Sequence, residues 1–117
     1  MTIRRLKTYA GSQGYVYQYY FVGQRPAASP LEATEYIFDV TSDRKLTYSV
    51  SILLPRSAVL QWVESRTRPL GDSEQYAAVK LRLFRAFDEA EDMQTHGRSL
   101  QIDIAFLEEA LVALGVD

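Results

Sequence analysis

The sequence predicts an α+β fold: a single domain over residues 1–117, with an antiparallel sheet of three strands and two to three helices packed on one face of it. Two observations lead to this prediction. Apolar residues alternate with period two through the first half of the chain, and they recur at helical spacing through the second half. The composition is that of a globular chain, since 47% of the residues are hydrophobic and 24% are charged. Whether residues 98–104 add a fourth strand is left open.

The first strand is predicted over residues 15–22, where aromatic and β-branched residues dominate. Gly14 and Gly23 are expected to bound this strand, and the proline-containing segment 24–30 is expected to form a loop. Because alternate residues of a strand point to opposite faces, one face carries four aromatic side chains in a row. These are Tyr15, Tyr17, Tyr19 and Phe21.

Two further strands are predicted over residues 34–41 and 46–54, both with clear period-two patterning. The short turn 42–45 between them indicates an antiparallel hairpin. One face of the first of these strands is apolar, and the opposite face carries Glu35, Ile37, Asp39 and Thr41. This arrangement is typical of a sheet with one face in the core and the other in water.

Helical spacing begins after the third strand. A first helix is predicted over residues 55–66, with Trp62 as a core or interface anchor. Asp72 is predicted to cap a second helix, with Gln75 completing a capping box, and this helix is expected to continue to about residue 93. Asp103 is predicted to cap a last helix with one apolar face, formed by Ile104, Leu107, Leu111 and Leu114.

The predicted elements contain more apolar surface than a narrow sheet can cover. Three strands about 4.8 Å apart give a sheet only about 15 Å wide, whereas one helix is about 10 Å across. We therefore expect a homodimer, with the last helix or the first strand in the interface. If the last helix carries the interface, Leu111→Asp should dissociate the dimer. The alternative is that a fourth strand widens the sheet and all three helices pack within one chain.

Charge is distributed unevenly along the chain, although the net charge is only −2. All fifteen acidic residues lie after residue 31, and the preceding segment carries Arg4, Arg5, Lys7 and Arg25. Such a basic segment beside stacked aromatic rings is one way to bind single-stranded nucleic acid. The acidic chain as a whole and the lack of an RNA-recognition signature make nucleic acid the less favoured partner.

The residues with chemical potential are few. Without cysteine the chain has no disulfide, thiol nucleophile or thiolate metal site. The single histidine, His96, follows Asp88 and Asp92 at helical spacing, but a run of acids of this kind is typical of a solvated helix end. We therefore predict no metal and no cofactor. Glu35 and Asp39 share a strand face as a solvent-facing row would, and neither a nucleophile elbow nor a phosphate-binding loop is present.

The function predicted from these observations is a non-catalytic interaction or assembly module that forms a homodimer. The alternative is a small-ligand-binding domain, which would be compatible with an enzyme, whose pocket lies between sheet and helices. Tyrosine hydroxyls need water or a partner, so this pocket is placed among the rings of Tyr15, Tyr17, Tyr19 and Tyr36. The N-terminus has no apolar core of a signal peptide, and no run of apolar residues is long enough to span a membrane. We therefore expect a cytoplasmic protein with no membrane partner.

Overall fold

A computed structural model describes residues 6–27 and 32–116. This part of the chain folds into one five-stranded sheet with four helices, which confirms the α+β class. The elements in chain order are β1 (Lys7–Ala10), β2 (Val16–Pro26), β3 (Ala33–Thr41), β4 (Tyr48–Pro55), α1 (Arg56–Arg66), α2 (Asp72–Glu89), α3 (Met93–His96), β5 (Ser99–Gln101) and α4 (Ile104–Ala113).

The sheet is mostly antiparallel, with strand order β1-β2-β3-β4-β5. The first four strands pair antiparallel with their neighbours, and β5 returns to pair parallel with β4. The predicted hairpin is confirmed: Val40 pairs with Tyr48 beside the turn, and Ala33 pairs with Pro55 at the far end.

The prediction of three strands was wrong because two short edge strands complete the sheet. β1 has four residues and β5 has three, so neither is long enough to display a clear period. β5 lies inside the 98–104 segment that the sequence left open. Five strands give a width of about 24 Å, and α1, α2 and α4 pack together on one face within a single chain. The shortage of sheet area that suggested a second copy is therefore absent.

β2 is longer than predicted, and Gly23 lies inside it. Phe21 pairs with Phe38 and Gly23 pairs with Ile37, so Val22 is an extra residue in a β-bulge. The strand continues through Arg25 to Pro26, a stretch that was predicted to be a loop. The proline is tolerated because it is the last residue of the strand.

The ends of the second helix also differ from the prediction. Asp72 is its first residue, and Gly71 precedes it as N-cap; the Glu74 side chain accepts a hydrogen bond from the Gly71 N–H at 2.9 Å. The capping box is therefore one residue earlier than predicted. The helix ends at Glu89, and Asp92 caps a separate single turn, α3, by accepting a hydrogen bond from the backbone N–H of Thr95.

The last helix begins as predicted. The Asp103 carboxylate accepts a hydrogen bond from the Phe106 N–H at 2.7 Å and so caps α4. Leu107 and Leu111 are completely buried in the core of their own chain. The middle of the predicted apolar face is therefore covered without a second copy, whereas Leu114 at its end is 39% exposed and the outer side of the helix carries Val112, which is 68% exposed.

Alternate residues of each strand form the core with the helices; we refer to this side of the sheet as the covered face. Its aromatic residues pack on α2: Tyr17 stacks on Phe87 with ring centroids 4.2 Å apart, and Tyr9 stacks on Phe84 at 4.5 Å. Among the residues that the structure describes, no helix is both long enough and apolar enough to cross a membrane.

Candidate functional site

The four tyrosines predicted to form a ligand pocket lie in two different environments. Tyr15 precedes β2 and is 52% exposed, whereas Tyr17, Tyr19 and Tyr36 are buried on the covered face. The alternation along β2 is thus as predicted from Tyr17 onwards. Tyr15 precedes the first residue of the strand and is exposed, although its ring centroid lies 6.4 Å from that of Tyr17.

The buried tyrosines contact rings of α2. Tyr19 meets Phe84 edge-on with centroids 5.6 Å apart, and Tyr36 lies 6.5 Å from Tyr76. Burial raises the pKa of the Tyr19 and Tyr36 hydroxyls, so they stay protonated and neutral. Packing of this kind is typical of a sheet–helix core.

Tyr15 and Tyr17 also border a small cavity of about 250 Å³ beside Asp92 and Met93. The structure thus brings Tyr15 and Tyr17 to one cavity and places Tyr19 and Tyr36 in the layer between sheet and α2. A ligand-binding role for the four residues remains a prediction.

The helical spacing of Asp88, Asp92 and His96, which predicts a solvated helix end and no metal site, is interrupted by the end of α2 at Glu89. The Asp88 carboxylate accepts hydrogen bonds from the Tyr9 hydroxyl and from the Ser12 N–H, both at 2.9 Å. Asp92 lies beyond the helix as the cap of α3, and His96 is exposed at the end of that turn. Within residues 6–27 and 32–116, no three histidine or acidic side chains are grouped so that they could hold a metal ion.

The other side of the sheet is not packed against the helices, and we refer to it as the open face. Its side chains alternate with those of the core, and the strand register places them together. They include Val16, Gln18, Tyr20, Arg25, Glu35, Ile37, Asp39, Thr41, Ser49, Ser51, Leu53, Ser99 and Gln101.

Asp39 links three strands on the open face. Its carboxylate accepts a hydrogen bond from the Tyr20 hydroxyl of β2 at 2.7 Å and one from the Ser49 hydroxyl of β4 at 3.4 Å. Tyr20 and Ser49 are also the strand partners of Asp39 in the sheet. Cross-strand pairs of this kind fix the register of a sheet.

Glu35 forms a second link four residues away. It accepts from Arg25 Nε at 2.7 Å through Oε1 and from the Ser51 hydroxyl at 2.5 Å through Oε2. The Ser51 hydroxyl and then the Arg25 guanidinium lower the pKa of Glu35, so the group is held as a carboxylate. Arg25, one of the basic residues considered for nucleic acid, is therefore paired with an acid; Lys7 lies in β1, and Arg4 and Arg5 lie outside the described residues.

The two carboxylates do not form a catalytic pair. Four residues along a strand separate Glu35 from Asp39 by about 13 Å, whereas paired carboxylates of glycosidases lie about 5 to 9.5 Å apart. Each carboxylate oxygen already accepts a hydrogen bond from a neighbouring strand. The arrangement is therefore suited to holding a surface in one conformation.

Ile37 lies between these two polar links. It is half-buried, pairs with Gly23 on one side and with Ser51 on the other, and faces away from the helices. Beside it, Leu53 and Glu35 border a shallow cavity of about 380 Å³ that extends to Ser99. The open face thus combines an apolar centre with hydrogen-bonded polar groups around it.

Sequence reasoning identified the outward side of β3 but missed its partners. Tyr20, Ser49 and Ser51 were assigned no role, although their parity already places them on the same side as Glu35 and Asp39. The hairpin register would have brought these groups together. Comparison with known proteins adds no assignment, because no family model, curated protein or solved structure matches the chain.

Proposed function

We propose that this chain is a non-catalytic interaction module that assembles as a homodimer through the open face of its sheet. The observation that supports the proposal most is the position of Ile37. It places a β-branched apolar side chain at the centre of a face that the helices of the chain leave uncovered.

The polar groups of the open face are suited to burial. An unpaired carboxylate is costly to remove from water, but a carboxylate whose oxygens already accept hydrogen bonds is much less so. Both oxygens of Glu35 and both oxygens of Asp39 have donors on neighbouring strands. A partner can therefore cover them without leaving them unsatisfied.

The area of the open face is also appropriate. β3 has nine residues, which gives a length of about 30 Å, and the five strands span about 24 Å. Because the edge strands are short, the face offers roughly 500–700 Å² per copy. Two copies face to face would bury roughly 1,000–1,400 Å² in total, which reaches the size of specific interfaces.

The charges favour a second copy over nucleic acid. A twofold interface brings each surface against itself, so it requires both signs of charge on one patch. The open face supplies Arg25, whose side chain is 67% exposed, together with Glu35 and Asp39. A phosphate backbone would instead meet two carboxylates near the centre of the sheet.

The experiment is a comparison of molar mass by light scattering at micromolar concentration for wild type and Ile37→Arg. We expect wild type to elute at about twice the chain mass of 13.3 kDa. Ile37→Arg should elute as a monomer with an unchanged circular dichroism spectrum, because a charge at the centre of the interface cannot be paired there. Leu111→Asp does not test assembly, because Leu111 is buried in the core of its own chain.

The matched control is Val112→Arg, which places the same side chain on the outer surface of α4. This variant should remain a dimer. A monomer mass for Val112→Arg together with a dimer mass for Ile37→Arg would show that the interface is on α4 and not on the open face. A monomeric wild type would disprove the homodimer.

A further inference from the structure

A cavity of about 500 Å³ opens at the end of the sheet where β2 finishes and β3 begins, on the side of the helices. Two backbone hydrogen bonds join residues that line it. The Ala27 N–H donates to the Ala33 carbonyl at 2.9 Å, and the Arg56 N–H donates to the Glu32 carbonyl at 2.9 Å. Its volume lies within the range of small-molecule sites, which is about 300–1,000 Å³.

The inner wall of this cavity is apolar. Leu54 of β4 is almost completely buried at the cavity, and Val59 and Leu60 follow from the first turns of α1. Leu60 is 46% exposed, although a leucine of this helix gains free energy if its side chain is covered. The wall is therefore suited to an apolar group of a ligand.

The rim carries two opposite charges that are not paired with each other. Arg56 and Glu32 are neighbours through their backbone hydrogen bond, but their side chains form neither an ion pair nor a hydrogen bond with any described residue. Elsewhere, neighbouring arginines and glutamates do pair: Arg25 with Glu35 at 2.7 Å and Arg68 with Glu74 at 2.9 Å. Within residues 6–27 and 32–116, neither charge of the rim is therefore neutralised by another side chain.

We infer that this cavity binds a small zwitterion with an apolar body, of the class of apolar amino acids and short apolar peptides. The ligand carboxylate pairs with Arg56, its ammonium group pairs with Glu32, and its apolar body contacts Leu54 and Leu60. A ligand with only one charge would leave one rim residue unpaired, or would meet a like charge there. The site lies on the helix side of the sheet, so it does not depend on the dimer proposed above.

The test is a titration followed by amide chemical shifts in NMR spectra of the full chain. The probes are L-phenylalanine, the dipeptide leucyl-phenylalanine, N-acetyl-L-phenylalanine, which lacks the ammonium group, and L-phenylalaninamide, which lacks the carboxylate. At least one of the two zwitterionic probes should give saturable shifts at the amides of Thr34, Leu60 and Gln75. Each singly charged probe should bind at least about tenfold more weakly.

Two variants separate the charge from the cavity. Arg56→Gln should weaken binding of the zwitterionic probe at least about tenfold. Thr34→Phe should abolish it by filling the space, because Thr34 lines the cavity and pairs with Leu54 on the helix side of the sheet. Arg98→Gln, on the far side of β4, should leave binding unchanged. The inference is overturned if neither zwitterion binds, if the shifts lie elsewhere, if the singly charged probes bind as tightly, or if Arg56→Gln has no effect. Tighter binding of L-phenylalanine would identify a free amino acid as the ligand, and tighter binding of leucyl-phenylalanine would identify a short peptide.

Discussion

The two faces of the sheet use the same strands in different ways. On the covered face, side chains bridge two layers, as Tyr17 does on Phe87 and Tyr19 on Phe84. On the open face, side chains contact their neighbours within the sheet, as Tyr20 does with Asp39. We conclude that packing between layers holds the fold together, whereas hydrogen bonds within one layer shape a surface. Substitutions on the two faces should therefore differ in the free energy of unfolding.

The largest effect is expected for Phe87→Ala on the covered face. Phe87 is completely buried and contacts Tyr9, Tyr17 and Tyr19. Removing its ring leaves a cavity between sheet and α2, which should lower the free energy of unfolding by about 3–5 kcal/mol. Denaturant unfolding measures this value.

The control for this variant is Val112→Ala, a truncation at an exposed position of α4. It should change the free energy of unfolding by no more than about 0.5 kcal/mol. Equal losses for the two variants would contradict the view that the aromatic layer stabilises the fold.

An intermediate effect is expected from Tyr48 in alkaline solution. Burial raises the pKa of Tyr48 to about 12 in the folded chain, whereas the pKa of an unfolded tyrosine is about 10. The unfolded chain therefore loses this proton first, and stability falls as the pH rises between these two values. Tyr48 should account for about 1.4 kcal/mol of this fall by about pH 11.

The measurement for Tyr48 compares the free energy of unfolding of wild type and Tyr48→Phe as a function of pH. The variant should lose less stability than wild type between about pH 9 and about pH 11. Parallel profiles for the two proteins would show that the Tyr48 hydroxyl is not buried in solution.

The smallest effect is expected for Glu35→Gln on the open face. Hydrogen bonds from Ser51 and Arg25 lower the pKa of Glu35 in the folded chain. The contribution of Glu35 to the free energy of unfolding is therefore present above the pKa of an unfolded glutamate, and it is lost as the pH falls through the pKa of the folded chain. Because Arg25 is largely exposed, the free energy of unfolding of the variant should be lower than that of wild type by less than about 1 kcal/mol near neutral pH.

The free energies of unfolding of Glu35→Gln and wild type should become similar in acid, where Glu35 of the wild type is protonated. Glu64→Gln, at an exposed carboxylate of α1, is the matched control and should be neutral to within about 0.5 kcal/mol. If Glu35→Gln lowered the free energy of unfolding as much as Phe87→Ala does, the two faces would not differ in their contribution to stability.

The sequence predicted what depends on local pattern. Period two in β3 and β4 correctly separated Phe38 and Val50 from Asp39 and Ser51, and Asp103 was recognised as the cap of α4. These features depend on residues only a few positions apart.

What the sequence did not predict depends on contacts between distant residues. β1 is a strand because it pairs with β2 and because Tyr9 stacks on Phe84, 75 positions later. In the last turn of α2, the Asp88 carbonyl accepts a hydrogen bond from the Ser12 hydroxyl at 3.2 Å, a contact that no local pattern encodes. The hydrogen bonds of the open face were missed for the same reason, since they join three different strands.

The parallel pairing of β5 with β4 has a consequence for synthesis of the chain on the ribosome. On the side away from β3, β4 pairs with Ser99 to Gln101 and hydrogen-bonds to the flanking Arg98 and Ile102, and these residues are translated more than forty residues after β4. Until they emerge, the nascent protein carries a strand edge that other chains can pair with. The hairpin of β3 and β4 therefore keeps this edge uncovered until residues 98–102 have been made.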